Sequence, residues 1–416
     1  MGADERGVQV VGVGPDRRGE VEDLMQWVWA ATDEWVDDDY LGHEWDRTRV
    51  ARVGEADAGI YSAYSMRMSV PGGEVPASGL TWVGVHPQHR RRGVLRAMIA
   101  DHFAEIAARG TEPVSVLWAA EPEIYPRFGY GLAANVLRFT IPRKARMRDV
   151  AGTDGLRVRL ENADIERHAA VVDEVYEAYR AAHPGTVSRG TPDRVRALLA
   201  DPKEWRRGHE RKKVLLVDDA DGRTRAVALF RRKEGWEDTG ADGTVSVIQA
   251  WGLDAAANRV LWGTLTDLDL MSKVTTDLRP VDDPLLHLLT DLRAAKVLLT
   301  DSLWLRLVDL RAALVARTYS SALDVVLEVA DELLPANAGR WRLRVGADGT
   351  GATCERTDDQ PALRLDVRDL GALYLGGQGL LQLVGAGAVE VVDPAAVEPT
   401  ARAFSWYAAA TNGSHF

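Results

Sequence analysis

The sequence contains one cysteine, Cys354, among 416 residues. A single thiol excludes an intrachain disulfide framework, so we expect a protein of a reducing compartment, the cytoplasm. The nine histidines form no HExxH motif and the chain has no CxxC pair, which are the usual ligand patterns of zinc sites. We therefore expect no metal in the functional site.

The sequence also lacks an apolar run long enough to span a bilayer, and its first residues, MGADERG, lack the basic and apolar segments of a signal peptide. Both absences predict a soluble protein without a membrane partner. Positive charge is in deficit, with 51 Lys and Arg against 62 Asp and Glu and a net charge of -11. This balance disfavours nucleic acid as a partner and favours the attraction of a cationic small molecule.

Strand and helix patterns alternate along the chain. The stretch from about Glu20 to Trp35 is amphipathic and predicts a helix, SGLTWVGV (78–85) predicts a buried strand, and the next helix closes at Gly110. Such alternation is typical of a mixed α/β fold. We expect His287, in DDPLLHLLTD (282–291), to be a packed core histidine.

The length exceeds what one hydrophobic core usually supports, so several domains are expected. Proline, glycine and basic residues at 142–155 indicate a boundary, after which a second series of strands and helices begins. A third segment of strands and short helices follows DDPLLHLLTD. The patterns divide the chain into residues 1–150, 151–290 and 291–416.

The stretch TWVGVHPQHRRRGVLRAM (81–98) carries the most chemical information. A strand ends near Val85, and then Arg90, Arg91, Arg92 and Gly93 open a helix. Backbone N–H groups and the dipole at a helix start can hold a pyrophosphate, glycine permits close approach, and arginines add charge-assisted bonds. The alternative interpretation of an arginine-rich helix start is a solvated surface. Here the strand that precedes the loop favours an anion-binding site.

This loop resembles the coenzyme A loop of the GNAT N-acetyltransferases, Q/R-x-x-G-x-G/A, although Leu95 replaces the final small residue. The resemblance is closer to the Eis family of actinobacterial acetyltransferases, through HRRRG, IYPRFGYG (124–131), DDPLLHLLTD, LYLGG (373–377) and the terminal Phe416. It implies an α/β (α+β) chain of two GNAT-type domains followed by a sterol-carrier-protein-like domain. It also implies a homohexamer and a C-terminus that returns to the first domain.

The resemblance implies two catalytic residues. Tyr125 matches the general acid that protonates the departing thiolate, and a phenol with an ordinary pKa of about 10 suits that role. Tyr130 is a nearby alternative on chemical grounds. The α-carboxylate of Phe416 matches the general base that takes the proton of the acceptor amine, whereas the alternative for any terminal residue is a frayed tail.

The remaining site residues also follow from the resemblance. Acetyl-CoA, as co-substrate, is expected to contact Val83, Gly84, Val85, Arg91, Arg92, Gly93, Val94, Leu95, Arg96, Ala120 and Glu121. Glu121 is the one acidic member, and we expect it to cap the helix that opens at Pro122. Asp33 and Trp45 match residues of the acceptor pocket. They lie in TDEWVDDDYLGHEWD (32–46), where carboxylates and aromatic faces suit ammonium groups, although such acidic runs are often only solvated.

Three functions follow as hypotheses. The first is an acetyl-CoA-dependent N-acetyltransferase acting on amines of polycationic small molecules such as aminoglycosides, the substrates of an antibiotic-resistance enzyme. The second, within the same class, is a protein lysine N-acetyltransferase. The third is a lipid or sterol carrier, which would need an apolar cavity in the last domain. A scaffold with a decayed site is disfavoured by the presence of Arg90, Gly93, Tyr125 and Phe416.

Overall fold

The computed structural model describes residues 7–29, 35–238, 240–414 and 416. The strands are β1 (Val8–Gly12), β2 (Arg49–Val53), β3 (Ala56–Val70), β4 (Gly73–Val85), β5 (Val114–Trp118), β6 (Gly131–Pro142), β7 (Arg157–Asn162), β8 (Lys213–Asp218), β9 (Thr224–Lys233), β10 (Trp236–Glu237), β11 (Gly240–Ala241), β12 (Gly243–Gly252), β13 (Met271–Arg279), β14 (Leu298–Leu307), β15 (Leu323–Ala330), β16 (Gly339–Val345), β17 (Thr353–Arg356), β18 (Leu363–Asp366) and β19 (Val389–Val391). The helices are α1 (Arg18–Trp29), α2 (Val94–Arg109), α3 (Ile165–Arg180), α4 (Pro192–Leu199), α5 (Ala255–Thr266), α6 (Leu285–Leu288), α7 (Leu310–Ala316), α8 (Val367–Leu373), α9 (Leu380–Gly385) and α10 (Val397–Phe404).

One sheet of 12 strands joins the first three quarters of the chain, in the order β1-β2-β3-β4-β5-β14-β6-β13-β12-β9-β8-β7. β14 lies between β5 and β6 and pairs antiparallel with both. The division from sequence assigned residues 298–307 to the third segment, but this strand completes the large sheet. The reason is its apolar sequence, LLTDSLWLRL, of which the second half is buried between the two neighbours.

The last quarter of the chain forms a separate five-stranded sheet, ordered β17-β16-β15-β18-β19. Its apolar side chains share one hydrophobic core with helices α7, α8 and α10 and with the ends of β3 and β4. Cys354 lies in β17 and is 1% exposed, and burial raises the pKa of its thiol to about 12. The thiol is therefore protonated and inaccessible at neutral pH.

The helix predictions hold in part. α2 begins after Gly93 and ends at Gly110, which is left-handed with a φ of 67°, as predicted. α1 covers Arg18–Trp29 of the predicted amphipathic stretch, and residues 30–34 of that stretch lie outside the described residues. The prediction for His287 is wrong, because α6 turns Leu285 and Leu288 inward and leaves His287 exposed. Across the described residues, no helix is both long and apolar enough to cross a membrane.

Candidate active site

Two parallel strands separate in the middle of the large sheet. β4 and β5 pair only where Ala77, Ser78 and Gly79 face Val114, Ser115 and Val116. Beyond this point β4 continues along β3 to Val85, while β5 continues along β14 to Trp118. The strands therefore form a fork, which we call the first fork, with one arm from Leu80 to Val85 and the other at Leu117 and Trp118.

The β4 arm contains a bulge. The register with β3 shifts between the pairs Ile60–Gly84 and Ser62–Thr81, so Trp82 and Val83 oppose the single residue Tyr61. Trp82 has a φ of 53°, a left-handed conformation that side-chain-bearing residues rarely adopt. A bulge leaves its extra residue outside the regular ladder. Backbone N–H groups at Trp82 and Val83 are therefore suited to receive a thioester oxygen at the fork.

Gly84 is needed for packing. A Cβ at this position would lie 2.1 Å from the Val28 side chain of α1, so only glycine lets the helix lie against β4. Gly84 and Val85 both pair with β3, at Ile60 and Gly59. Of the three strand residues predicted for acetyl-CoA, Val83 is thus the one that the bulge frees from regular pairing.

The loop after β4 has the geometry of an anion cradle. Arg91 and Gly93 both have left-handed backbones, with φ of 62° and 84°, and they flank the turn into α2. Such turns gather backbone N–H groups into a concavity that binds anions, here at the positive end of a helix of 16 residues. The side chains of Arg91, Arg92 and Arg96 are exposed. Within the described part of the chain, none of these guanidinium groups forms an ion pair with a carboxylate.

The other two residues predicted for this loop have a different role. Val94 is 1% exposed and belongs to the core beneath α2, and Leu95 packs partly against the same core. Their side chains anchor the helix, so only their backbone groups can face a phosphate. Ala120 and Glu121 follow β5 and are exposed beside the fork. Glu121 occupies the N-cap of the 3₁₀ helix Pro122–Phe128 but makes no side-chain cap bond, so the predicted capping role is wrong.

Tyr125 lies on this 3₁₀ helix and is 8% exposed. Burial, with a smaller contribution from the Glu121 charge, raises the pKa of its phenol to about 12. Its ring meets the ring of Tyr130 edge-on, with centroids 5.9 Å apart. The Tyr130 hydroxyl is 2.7 Å from the hydroxyl of Ser115, which is 2.9 Å from His102 Nε2. Tyr130 is thus held in a buried hydrogen-bonded chain, whereas Tyr125 makes no comparable side-chain hydrogen bond to the described residues.

The C-terminal tail ends in the first fork. The indole Nε1–H of Trp118, on the β5 arm, donates to the carbonyl of Ser414 at 3.1 Å. The hydroxyl of Thr81, on the β4 arm, donates to a terminal oxygen of Phe416 at 3.1 Å. A Cβ on Gly79, where the arms meet, would lie 3.1 Å from the Phe416 ring. The fork therefore holds both the ring and the carboxylate of the last residue.

Aromatic rings line the approach to the β4 arm. Trp45 stacks on Tyr40 with centroids 5.4 Å apart and meets His43 edge-on at 4.8 Å. His43 in turn stacks on Trp82, at 4.2 Å, and burial lowers the pKa of its imidazole to about 4. Trp45 is therefore connected to the bulge through one neutral imidazole ring. Asp33, the other predicted acceptor residue, lies outside the described residues.

Most carboxylates of the segment 35–46 have partners within the chain, although the side chains of Asp37 and Asp46 remain 97% and 73% exposed. Four of them are occupied by partners within the chain, and these pairs are Asp37 with Arg18, Asp39 with Trp205, Glu44 with Arg194 and Asp46 with Arg109. The face of Tyr40 is also covered by a guanidinium, that of Arg18, at 4.1 Å. The reason is that arginines from the second domain and from α1 and α2 pack onto this segment.

A second fork, between β12 and β13, is closed. Arg279 of β13 donates to the carbonyl of Ala250 in β12 and pairs with Asp283, so its side chain fills the gap. The N-terminus of α5 is capped by the carboxylate of Asp254, 2.8 Å from the N–H of Ala257. A carboxylate there repels a pyrophosphate. Only the first fork has the features of a coenzyme A site among the described residues.

Sequence reasoning did not find Thr81, Trp118, Trp82 or His43. Thr81 and Trp118 act on residues about 300 positions away, a relation without any local signal. Trp82 belongs to a bulge that depends on the register with β3.

Comparison with known proteins agrees with this architecture. Models of acetyltransferase (GNAT) domains match residues 21–133 and 188–308, and a model of a sterol carrier protein domain matches residues 310–410. An N-acetyltransferase of Streptomyces avermitilis, described as uncharacterized, is 43% identical over 341 residues, 81% of each chain. N-acetyltransferase Eis of Mycobacterium tuberculosis is 36% identical over 340 residues, 78% of this chain and 77% of the relative.

The chain belongs to the Eis family of N-acetyltransferases. The crystal structure of Eis1 from Mycobacterium abscessus superposes with a TM-score of 0.81 at 33% identity, covering 98% of this chain and 100% of the other. The predicted order of two GNAT domains and a sterol-carrier-like domain is confirmed. As an Eis-family member the chain is an acetyltransferase, and its GNAT domain implies the use of acetyl-CoA.

The residues of the first fork fit acetyl-CoA. The left-handed turn at Arg91 and Gly93, with the exposed arginines around the start of α2, suits its pyrophosphate, and the bulge at Trp82 and Val83 suits its thioester oxygen. When bound there, acetyl-CoA supplies an activated acetyl group for transfer to an acceptor. In the described residues of the second domain, Asp254 and Arg279 occupy the corresponding places.

Proposed function

We propose that this Eis-family chain transfers the acetyl group of acetyl-CoA directly to primary amines of polycationic small molecules, aminoglycosides foremost. In this proposal the Phe416 carboxylate is the general base and Tyr125 is the general acid. The observation that carries it is the position of the last residue. Thr81 on one arm of the first fork bonds Phe416, and Trp118 on the other arm bonds Ser414.

The terminal carboxylate suits the base role at this place. An ordinary α-carboxyl ionises well below neutral pH, and the hydroxyl of Thr81 donates a hydrogen bond to this one. The group is therefore negative at neutral pH. It attracts the ammonium group of an acceptor and takes a proton from the amine nitrogen as that nitrogen bonds to the acetyl carbon, directly or through water.

Tyr125 supplies the proton that the leaving thiolate takes up. The C–S bond breaks as the new amide forms, and the sulfur leaves with the electron pair of that bond. Tyr125 gives its phenolic proton to this sulfur, so the products are an amide and a free thiol. The raised pKa keeps the phenol protonated until it is used. Cys354 is buried in β17, which agrees with direct transfer rather than a cysteine acyl-enzyme.

The preference for cationic acceptors rests on charge and on aromatic faces. The chain carries a net charge of -11, and the terminal carboxylate is a negative group inside the first fork. Trp45, His43 and Trp82 form a continuous aromatic wall that leads to the fork. Aromatic faces and a carboxylate together suit ammonium groups. Lysine side chains of proteins share this chemistry and are the alternative acceptor in the test below.

A carrier function is less well supported. Carriage of a lipid or sterol requires an apolar cavity, whereas the inner face of the five-stranded sheet is filled by the chain's own side chains. Leu343 and Leu363 of the sheet share one closely packed core with Leu370 of α8 and Phe404 of α10, and all four are at most 2% exposed.

The test is the release of coenzyme A thiol from acetyl-CoA in the presence of different acceptors. We expect turnover with a kanamycin-type aminoglycoside that is faster than with a lysine-containing peptide or a monoamine of equal concentration. Faster turnover with the peptide would move the assignment to protein lysine acetylation. Tight acetyl-CoA binding without turnover on any amine would refute the proposed acceptor class, and binding of a fluorescent sterol instead would favour the carrier.

A further inference from the structure

Arg189 is a buried arginine in the loop between α3 and α4, and only 9% of it is exposed. Its Nε and Nη2 groups are buried and donate to no atom of the residues that the structure describes, and no carboxylate oxygen of those residues lies within 4.0 Å. Asp173 and Glu177 lie near enough to favour the charged form without pairing with it. Burial lowers the pKa of the side chain, but a guanidinium keeps its charge in proteins. An unpaired positive charge is therefore enclosed here.

Another buried arginine shows how the same fold satisfies such a group. Arg317 is 2% exposed and, like Arg189, lies over aromatic rings. Its three guanidinium nitrogens donate to the backbone carbonyl groups of Thr318, Tyr374 and Phe404. The Arg189 guanidinium instead lies over two rings, Tyr176 at 4.3 Å and Trp251 at 5.5 Å. Aromatic faces attract a cation weakly compared with the cost of taking a charge out of water.

The C-terminal tail passes the same indole. Trp251 of β12 and Leu278 of β13 lie on the two arms of the second fork. A Cβ on Gly413 would lie 3.9 Å from Nε1 of Trp251 and 4.0 Å from the carbonyl oxygen of Leu278, so the tail crosses the second fork before it enters the first. The two preceding residues are fully buried. Among the described residues, Oγ1 of Thr411 and both Oδ1 and Nδ2 of Asn412 have no hydrogen-bond partner.

The buried polar groups around Trp251 are of one kind. Arg189, Thr411 and Asn412 contribute N–H and O–H donors and one positive charge that no neighbour neutralises in the described part of the chain. Water satisfies a hydroxyl or an amide but does not neutralise a guanidinium. A small anion does both, because it carries the opposite charge and accepts several hydrogen bonds. A single charge favours a monovalent ion, and the low exposure of Arg189 favours a compact one.

We propose that Arg189 binds a compact monovalent anion of the chloride class where the tail crosses the second fork. The guanidinium supplies the charge, and the Thr411 hydroxyl and the Asn412 amide N–H groups supply further donors. The anion links the second domain to the tail and holds the tail in the course that brings Phe416 to the first fork. The second domain thereby acts on the first site, although its own fork is closed.

Binding of the anion can be measured by thermal unfolding, with chloride exchanged for gluconate at constant ionic strength. We expect the midpoint of the native chain to rise saturably with chloride, by at least about 2 °C, since a ligand that binds only the folded state stabilises it. Arg189→Met keeps an unbranched side chain against the rings of Tyr176 and Trp251 and should lose this rise. Arg196→Met changes the net charge equally, at a side chain that is 43% exposed, and should keep it. An equal rise in Arg189→Met, or no rise in the native chain, would overturn the proposal.

Two further measurements use the native chain alone. In crystals grown with bromide, we expect an anomalous-scattering peak within about 3.5 Å of the Arg189 nitrogens. Carboxypeptidase should release Phe416 at least about threefold more slowly in chloride than in gluconate, because the peptidase cuts the tail only when it is released. A synthetic peptide of residues 411–416 is the control for the peptidase and should be cut equally fast in both salts. No bromide beside Arg189, or equal release of Phe416 in both salts, would contradict the site.

Discussion

The hydroxyl of Thr81 and the terminal oxygen of Phe416 are 335 positions apart in the chain and 3.1 Å apart in the structure. The contact joins the first GNAT domain to the last residue of the sterol-carrier-like domain. It places a negative charge where the β4 and β5 arms separate. The proposed chemistry depends on this relationship.

Loss of the Thr81 hydroxyl should impair the transfer step. In Thr81→Val the carboxylate of Phe416 loses a charge-assisted hydrogen bond, which is worth about 1.5 to 3 kcal/mol, or roughly a 10- to 100-fold change. We expect kcat to fall by a factor in that range while acetyl-CoA affinity stays unchanged. Thr81→Ser, which keeps the hydroxyl, is the control and should retain most of the activity. Equal loss in both variants would mean that the methyl group, and not the hydrogen bond, matters.

The pH dependence of the reaction should reflect the state of Tyr125. Burial penalises the phenolate, so it raises the pKa to about 12, and the acid form persists at every pH below that value. The rate should therefore show no alkaline decline from this group below about pH 11. Tyr125→Phe should lower kcat by about 10²- to 10⁴-fold. An alkaline decline near pH 8 to 9 that disappears in Tyr125→Phe would contradict the assignment.

The exposed arginines around the start of α2 should bind the co-substrate electrostatically. Arg92→Ala should weaken acetyl-CoA binding about tenfold at low ionic strength, with a smaller difference at 1 M salt because screening shortens the range of the charge. Arg109→Ala, at the C-terminal end of α2, is the control and should bind normally. Equilibrium titration of both variants at two salt concentrations gives the comparison.

The turn that carries Tyr125 rests on a buried ion pair. Arg306 of β14 lies beneath Gly129, where a Cβ would be 2.8 Å from its guanidinium carbon, and it bonds both oxygens of Asp331 at 2.7 Å. Both side chains are almost fully buried. Asp331→Ala leaves the arginine charge without this partner, so the free energy of unfolding should fall by about 3 to 5 kcal/mol. Denaturant unfolding measures the change, and a loss below 1 kcal/mol would contradict it.

Much of the fold could be anticipated from local patterns. The periodicity of 94–109 and the glycine at 110 were sufficient for α2, and the alternation of elements was sufficient for the α/β class. The domain order came from the resemblance to Eis proteins. The position of β14 could not be predicted from the sequence, because an apolar strand pattern does not indicate which two strands are its neighbours.

The site was less accessible to sequence reasoning. The acidic segment looked like a cation-binding surface because its partners are remote, and Arg194, which pairs with Glu44, lies 150 positions away. Glu121 looked like a helix cap because it precedes a proline. A cap requires a hydrogen bond from a backbone N–H to its side chain, and whether this bond forms depends on the backbone geometry. The catalytic roles of Tyr125 and Phe416 remain predictions.

The most direct test of the account is to lengthen the chain by two glycines after Phe416. The extension converts the terminal carboxylate into a peptide carbonyl and moves the new carboxylate out of the first fork, while the loop at Arg91 and Gly93 is untouched. The account predicts that kcat for aminoglycoside-dependent thiol release falls by at least about 10²-fold, the range that one proton-transfer group supplies, with acetyl-CoA affinity unchanged. Full activity in the lengthened chain would show that the last carboxylate takes no part in the reaction.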